Sequence, residues 1–232
     1  MTNKIIADLE QGELTWIKPW GSANMEGRIV RPLRHNGQPY IGINILLLWS
    51  AALEGGFASP CWMTFQQAKE LGAHVLKGER GNMVVYANTI TKTEEGADIR
   101  HGSNRAYYSG GTDHVQLPHF ERFRSPESYY ATLAHELTHW TKHPARLDRS
   151  LGRKAWGDEG YAREELVAEL GAAFLCADLG LTPEPGSDHA AYIQSWLKVL
   201  GEDKRAIFTA AAHAQRASDY LHGFQQQEGA AA

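Results

Sequence analysis

Apolar positions recur at helical spacing along most of the chain and alternate in two short stretches. Because a helix repeats every 3.6 residues and a strand every two, these patterns separate the two element types. Strands are predicted at 81–92 and at 113–118. Helices are predicted at 2–14, from the N-cap Thr64 to Gly72, and at 126–143, 159–179 and roughly 189–221. Residues 37–56 are predicted to form a turn followed by either a buried helix or a strand and a helix.

The order of these elements predicts an α+β protein of two domains. Residues 1–95 mix helices with strand-like segments, whereas residues 96–232 are mainly helical with a small antiparallel sheet. The charges of the first part cancel, so the net charge of −4 belongs to the second part. Four of the seven tryptophans lie in the first part. We place the boundary in the polar stretch 91–104.

Composition excludes several classes of protein. With 43% apolar and 22% charged residues, the chain can bury a core and has the profile of a globular protein. It contains no run of about 18 apolar residues, so we expect no membrane span. Only two cysteines occur, far apart in sequence, which indicates a reducing cytoplasm rather than a disulfide framework.

The stretch ATLAHELTHW (131–140) carries the chemistry. Ser125 as N-cap and Pro126 at the first helical position start a helix before it. His135 and His139 are four residues apart and share one face, where two imidazoles can bind one ion. Glu136 is rotated by about 100°, so its carboxylate can reach a water molecule on that ion. The pattern H-E-x-x-H therefore predicts a metal site with its own base.

The alternative is three polar residues that merely share a helix, so a third ligand must be found. His143 is excluded because it lies about 12 Å from His135 along the helix axis. The glycine and histidine of the longer metzincin pattern are absent, since Lys142 and Ala145 occupy those positions. His143 is better explained as a cation at the helix C-terminus.

The better donor lies on the helix 159–179. Glu165 and Glu169 share a stripe with Tyr161 beside an apolar row. Two carboxylates next to a buried face are explained if Glu165 is the third ligand and Glu169 orients a ligating histidine. A swap of these roles fits the same stripe, and so does an acidic stripe paired with lysines and arginines. Glu164 is expected to meet solvent or Arg163.

Two histidines and one glutamate would form a gluzincin-like centre with a fourth position open to water. Structural zinc sites usually close with four protein ligands, so an open site favours hydrolysis. The ion, Zn²⁺ or alternatively Mn²⁺ or Co²⁺, would acidify water, and Glu136 would take the proton. Tyr161 is a candidate donor to the transition state. The strand 113–118 could offer an edge to an extended peptide.

The segments YYATLAHELTHWTKHPARLDR, EGYAREELVAELGAAFLCADLGL and WLKVLGEDKRAIFTAAAHAQRA resemble the metallopeptidase domain of ArdC-type antirestriction proteins, which conjugative plasmids carry. WIKPW, PYIGINILLLW, WMTFQQAKELGAHVLKGERG and VVYA resemble the same family's N-terminal domain. Related segments occur in plasmid primases of the TraC type. The resemblance covers nearly the whole chain, although the family has a longer connection near residues 93–97.

This resemblance implies a single-stranded-DNA-binding domain joined to a zincin-like domain. Such a protein would shield incoming plasmid DNA from restriction in the cytoplasm of a bacterial host. Double-stranded DNA would be a weaker ligand, and host restriction-modification proteins are candidate targets. The candidate base-stacking and phosphate-binding residues are Trp16, Lys18, Trp20, Arg28, Arg31, Arg34, Tyr40 and Trp62. From composition alone, core tryptophans and a solvated basic face are the more common explanation of these residues.

Two other functions remain open. One is a metalloprotease whose first domain recognises a protein substrate, and it predicts that single-stranded DNA is not bound. The other is a DNA-binding module whose metal only stabilises the fold. In that case Glu136→Gln would change nothing, while removal of the metal would unfold the second domain.

Overall fold

The computed structural model describes residues 2–12, 14, 16, 30–85, 96–152, 159–181 and 189–228. It confirms an α+β protein whose longest helices lie in the second half of the chain. In chain order the elements are α1 (Thr2–Glu10), β1 (Leu33–Arg34), α2 (Ile43–Gly55), β2 (Cys61–Trp62), α3 (Phe65–Glu70), β3 (Asp98–His101), β4 (Tyr107–Ser109), β5 (His114–Leu117), a 3₁₀ turn (Phe120–Arg122), α4 (Pro126–Trp140), α5 (Glu159–Leu179), α6 (His189–Glu202) and α7 (Ala206–Glu228).

Helix α5 forms the centre of the molecule and is buried on nearly all sides. The main core joins α5, α6 and α7 to the N-terminal helices α1 and α2. Trp49 of α2 packs edge-on against Phe174 of α5, with ring centroids 6.3 Å apart. Trp16 packs in the same way against Trp196 of α6, at 6.0 Å. The two halves of the chain therefore share one hydrophobic core.

An ion pair between the buried Arg31 and Asp178 reinforces this contact between the halves. Arg31 is 5% exposed and donates to Asp178 at the end of α5 over 2.6 Å. It also donates to Gln215 and Ser218 of α7, at 3.3 and 3.1 Å. Burying a guanidinium is costly unless it is paired and hydrogen-bonded, and these partners satisfy that requirement. Arg31 thus holds the segment before β1 against α5 and α7.

The second sheet corrects two expectations. Its strand order is β3-β5-β4, with β3 parallel and β4 antiparallel to β5, so it is mixed rather than wholly antiparallel. The strand predicted at 113–118 is β5, which lies in the middle and has no free edge for a peptide. Local alternation predicts a strand but not its neighbours. Val115 and Leu117 of β5 are fully buried and pack in one cluster with Trp140 of α4.

Three predicted elements also differ from those in the structure. The single helix expected from about 189 to 221 is two helices, α6 and α7, which meet at a turn where Arg205 N donates to the Asp203 side chain over 2.9 Å. Helix α4 ends at Trp140, three residues before the predicted end. Residues 81–85 form no strand, and the rest of the predicted strand lies outside the described residues. None of the helices in the described ranges has the length and apolar character of a membrane span.

Candidate metal centre

Helix α4 presents the two histidines of the H-E-x-x-H pattern. Ser125 caps it by accepting from Ser128 N over 3.1 Å, and Pro126 follows at the first position. The helix thus starts where the sequence predicts, and Ser128 in addition forms a capping box with Ser125. The rings of His135 and His139 lie 4.9 Å apart, which is close enough for both to face one ion.

Helix α5 crosses α4 closely, which brings a third donor to the histidines. At the crossing, a Cβ on Gly171 would lie 2.5 Å from the side chain of the fully buried Thr138, so only glycine fits there. Glu165 then places one carboxylate oxygen 3.5 Å from His135 Nε2 and the other 3.5 Å from His139 Nε2. Gly171 therefore allows the close approach of α5 to the histidine helix.

His135, His139 and Glu165 form the group that could hold a metal ion in the described part of the chain. One donor atom from each lies within 4.8 Å of the other two. Imidazole nitrogen and carboxylate oxygen are ordinary ligands of zinc and of related divalent ions. The spacing and chemistry of this donor set therefore fit a divalent cation.

Each histidine has a carboxylate behind it, on the nitrogen that faces away from Glu165. His135 Nδ1 lies 3.4 Å from Glu169, and His139 Nδ1 lies 3.0 Å from Glu164. Such a carboxylate fixes the tautomer and the orientation of the ring, which leaves Nε2 as the donor to an ion. Glu169 therefore lies where it could orient His135, which is the role that the sequence suggested for it.

Glu164 is the site residue that the sequence analysis missed. It was expected to meet solvent or Arg163, but it is 5% exposed and hydrogen-bonds to His139. Arg149, itself buried, donates to both of its oxygens at 2.8 Å. Burial would raise the pKa of Glu164, but the hydrogen bonds from Arg149 and His139 outweigh it and lower the pKa to about 2. Arg149 lies in the connection between α4 and α5, where helical spacing gives no signal.

The charges of the group favour a cation. Burial alone would lower the pKa of His135 and of His139, but their hydrogen bonds to neighbouring carboxylates raise both values. Burial would likewise raise the pKa of Glu165, and the two histidines reverse that effect and lower it. The carboxylates thus attract positive charge to the histidines, and a metal ion supplies that charge without protonating them.

Two further predicted residues lie next to this group. Glu136 is 7% exposed, on the turn of α4 between the two histidines. The hydroxyl of Tyr161 lies 3.0 Å from the hydroxyl of Tyr192 on α6 and interacts with Glu165, one turn along α5. Burial, with these hydrogen bonds, raises the pKa of Tyr161, so its hydroxyl keeps its proton. Tyr192 had no signal in the sequence, because its partner is on another helix.

The eight candidate DNA contacts divide into three groups. Trp16 is 1% exposed in the main core and Arg31 is paired with Asp178, so the prediction that they contact DNA is wrong. Lys18, Trp20 and Arg28 lie outside the described residues. Arg34, Tyr40 and Trp62 are partly exposed and lie together: Arg34 is opposite Trp62 in the β1–β2 pair, and its guanidinium lies 5.4 Å from the Tyr40 ring centre.

Family models match both halves of the chain. The model for the N-terminal domain of the anti-restriction factor ArdC matches residues 1–124, and a zincin-like metallopeptidase model matches residues 87–213. Two solved structures of the antirestriction ArdC protein from the R388 plasmid are similar over the whole chain. The metal-free one has a TM-score of 0.80 and 40% identity, covering 95% of this chain and 94% of that one. The Mn(II)-bound one has a TM-score of 0.81 and 41% identity, covering 96% and 95%.

Two further relatives align with nearly the whole chain. The chain is 37% identical over 285 residues to the uncharacterized protein y4eC of Sinorhizobium fredii (strain NBRC 101917 / NGR234), covering 97% of this chain and 91% of the relative. It is 34% identical to the DNA primase TraC of Escherichia coli over 98% of this chain but only 27% of that protein. The first alignment is longer than the 232 residues of this chain, so the relative contains residues without a counterpart here. The longer connection expected near residues 93–97 stays a prediction.

Proposed function

Since the chain belongs to the ArdC antirestriction family, we propose that it binds single-stranded DNA and carries a metal-dependent peptidase centre. It would protect plasmid DNA from host restriction as the DNA enters a recipient cell, in the cytoplasm. Residues 1–95 would supply the DNA-binding part and residues 96–232 the zincin-like part. The two would act as one folded unit, because α1 and α2 pack into the core around α5.

The proposal of a metal centre is carried by one observation: three donor atoms lie within 4.8 Å of one another on two packed helices. We assign His135, His139 and Glu165 as ligands, with Glu169 and Glu164 holding the two imidazoles. A bound divalent ion would supply Lewis-acid activation of water and of a carbonyl group. Zn²⁺ is the proposed ion, with Mn²⁺ and Co²⁺ as alternatives, and the relative from R388 has a structure with Mn(II).

The residues of this chain supply the other parts of a hydrolytic site. Glu136 would act as general base and take the proton from water, since it lies on α4 between the two histidine positions. The protonated hydroxyl of Tyr161 would donate a hydrogen bond to the oxygen that gains negative charge. Its partner Tyr192 would hold that hydroxyl in place over 3.0 Å.

The test uses the full chain in two assays. Anisotropy of a fluorescent single-stranded oligonucleotide is measured at 50 and 200 mM salt, and plasmid transfer is counted into restricting and non-restricting recipients. We expect binding that weakens strongly with salt, because phosphate contacts release counterions. Glu136→Gln should still bind DNA and metal but should lose protection. Glu127→Gln, earlier in the same helix, should keep binding and protection.

Each alternative function has its own outcome in these assays. Absence of binding at low salt would contradict the proposal and favour a metalloprotease whose N-terminal part recognises a protein. Full protection by Glu136→Gln, combined with unfolding on removal of the metal, would contradict the catalytic role of the centre. The metal would then only stabilise a DNA-binding module.

A further inference from the structure

A row of aromatic and cationic side chains runs along the β1–β2 pair. Arg34 lies opposite Trp62 in this parallel pair, and its guanidinium lies over the ring of Tyr40 at 5.4 Å. On the other side, Trp62 packs edge-on against Phe57, with ring centroids 5.8 Å apart. Arg34, Tyr40, Trp62 and Phe57 are thus neighbours in pairs along these two strands.

Beside this row the described residues form a shallow, open cleft. Its walls are apolar and include three aromatic rings. The lining includes Val30, Pro32, Trp49, Phe57, Pro60 and Trp62. Trp49 is fully buried and donates its indole N–H to Val30 O over 3.0 Å, so this wall of the cleft is fixed by the core. The apolar rings at the rim of this cleft suit stacking by a flat ring.

The exposed wall of the cleft is held in place by the end of α2. Gly56 adopts a left-handed conformation with φ of 62°, and Phe57 N then donates to Ala52 O over 3.0 Å. The Phe57 ring folds back over Gly55, where any Cβ would lie 2.4 Å from it. Although fixed in this way, the ring is 41% exposed. An immobilised, solvent-facing aromatic ring loses little entropy when a second ring stacks on it.

The chain segment that carries the row is poor in carboxylates. The Nε of Arg34 is buried and has no hydrogen-bond partner in the described part of the chain. Between Glu26 and Glu70 the sequence contains one carboxylate, Glu54, which is paired with Lys4. An anionic group could therefore approach Arg34 without meeting an unpaired carboxylate from this segment.

We propose that the aromatic rim of this cleft binds an unpaired base of single-stranded DNA, with Arg34 contacting the adjacent phosphate. The base would stack against Phe57 and Trp62, as in proteins that bind single strands through aromatic platforms. Since stacking requires an unstacked base, this site would select single-stranded over double-stranded DNA without reading sequence. The inference rests on the proposed DNA-binding function and names the surface that performs it.

The test again uses the full chain, with oligothymidylate as the probe. Wild-type protein is titrated with the normal oligonucleotide and with one in which abasic residues replace all nucleotides, which keeps every phosphate. We expect the abasic probe to bind roughly 5- to 100-fold more weakly, the range measured for loss of one base–aromatic stack. This measurement needs no variant and is therefore independent of folding.

Variants then locate the effect. Phe57→Ala should weaken binding of the normal probe within the same range and bind the abasic probe no more weakly than wild type does. Phe65→Ala is the matched control, because that ring is 69% exposed on the neighbouring α3 but does not line the cleft. Arg34→Met should weaken both probes and reduce the dependence of affinity on salt.

The outcomes separate this inference from the proposed function. If wild-type protein binds neither probe, the proposed function fails. If it binds both probes equally, or if Phe57→Ala and Phe65→Ala have equal effects, DNA binding stands but the cleft is not its base-binding site.

Discussion

The metal group and the aromatic cleft are built on opposite physical principles. In the metal group, charged side chains are buried and held by charged partners: Glu164, Glu165 and Glu169 are each about 5–6% exposed. The cleft places aromatic rings at the surface and carries one guanidinium in its row. Burying a charge costs several kcal/mol unless it is paired, whereas a surface ring costs little to keep.

This difference has a direct consequence for mutation. Changes in the metal group should damage the fold and the site together, because the same contacts that satisfy the charges position the ligands. Changes at the rim of the cleft should damage binding alone. The following predictions test that contrast from the largest expected effect to the smallest.

Removal of the Arg149 side-chain charge should have the largest effect. Arg149→Met leaves Glu164 buried without its cation, and breaking a buried ion pair in this way costs about 3–5 kcal/mol. We expect the free energy of unfolding to fall by that amount in urea titrations at neutral pH with chelator present. The double variant Arg149→Met/Glu164→Gln should regain much of the loss.

The control for this prediction is a surface pair of the same chemistry. Arg163 lies 3.2 Å from Asp203, and both side chains are partly exposed to solvent. Arg163→Met should therefore lower the free energy of unfolding far less than Arg149→Met does. Equal losses for the two arginine variants would show that burial does not separate them, and the contrast drawn here would fail.

The close packing of α4 against α5 is the second feature on which both the stability of the fold and the metal group depend. Gly171→Ala places a methyl group 2.5 Å from the Thr138 side chain, which is fully buried and cannot move away. We expect a loss of about 1–3 kcal/mol in thermal unfolding and weaker binding of metal in a chelator competition. The helices must separate, which moves Glu165 away from the histidines.

Gly201 is the matched control for Gly171. It also lies in a helix, α6, but a Cβ there would meet nothing within 4 Å. Gly201→Ala should leave metal binding unchanged and stabilise the protein by up to about 1 kcal/mol through helix propensity. If Gly171→Ala behaved like Gly201→Ala, the close crossing would not be needed for the site.

The same contrast explains what could be predicted from the sequence. His135, Glu136 and His139 lie within one helix, and Glu165 and Glu169 within another, so helical spacing alone assigns each set to a face. Their meeting needed only one assumption, that the two helices pack. The positions of these five residues follow the expected arrangement for that reason.

Residues whose environment depends on distant segments could not be assigned in this way. Glu164 is one residue from Glu165, yet its partner Arg149 approaches from the α4–α5 connection, which spacing does not describe. Trp16 and Arg31 have the side chains that DNA contacts require, but the core around α5 buries both. The strand order β3-β5-β4 likewise depends on the path of the connections between the strands, which the pattern within each strand does not describe.

The smallest predicted effect concerns His213 of α7, which lies behind the metal group. Burial, followed by the charges of Arg216 and Arg149, lowers the pKa of His213 to about 4, although Glu164 opposes them. The unfolded chain binds a proton near pH 6.5, so stability is fully present above that pH and declines as the pH falls toward 4.

Urea titrations at pH 7, 5.5 and 4 would measure this dependence. His213→Gln should flatten the decline between pH 6.5 and 4, while below that range both proteins lose the stability of Glu164, whose pKa is about 2. Because His213 is only partly buried, solvent screening should keep this effect on the free energy of unfolding below those of Arg149→Met and Gly171→Ala. An unchanged profile in His213→Gln would mean that neither burial nor the charges of Arg216 and Arg149 shift the pKa of His213 in the folded protein. The coupling of burial and charge to stability, which the metal group shows, would then not extend to this position of α7.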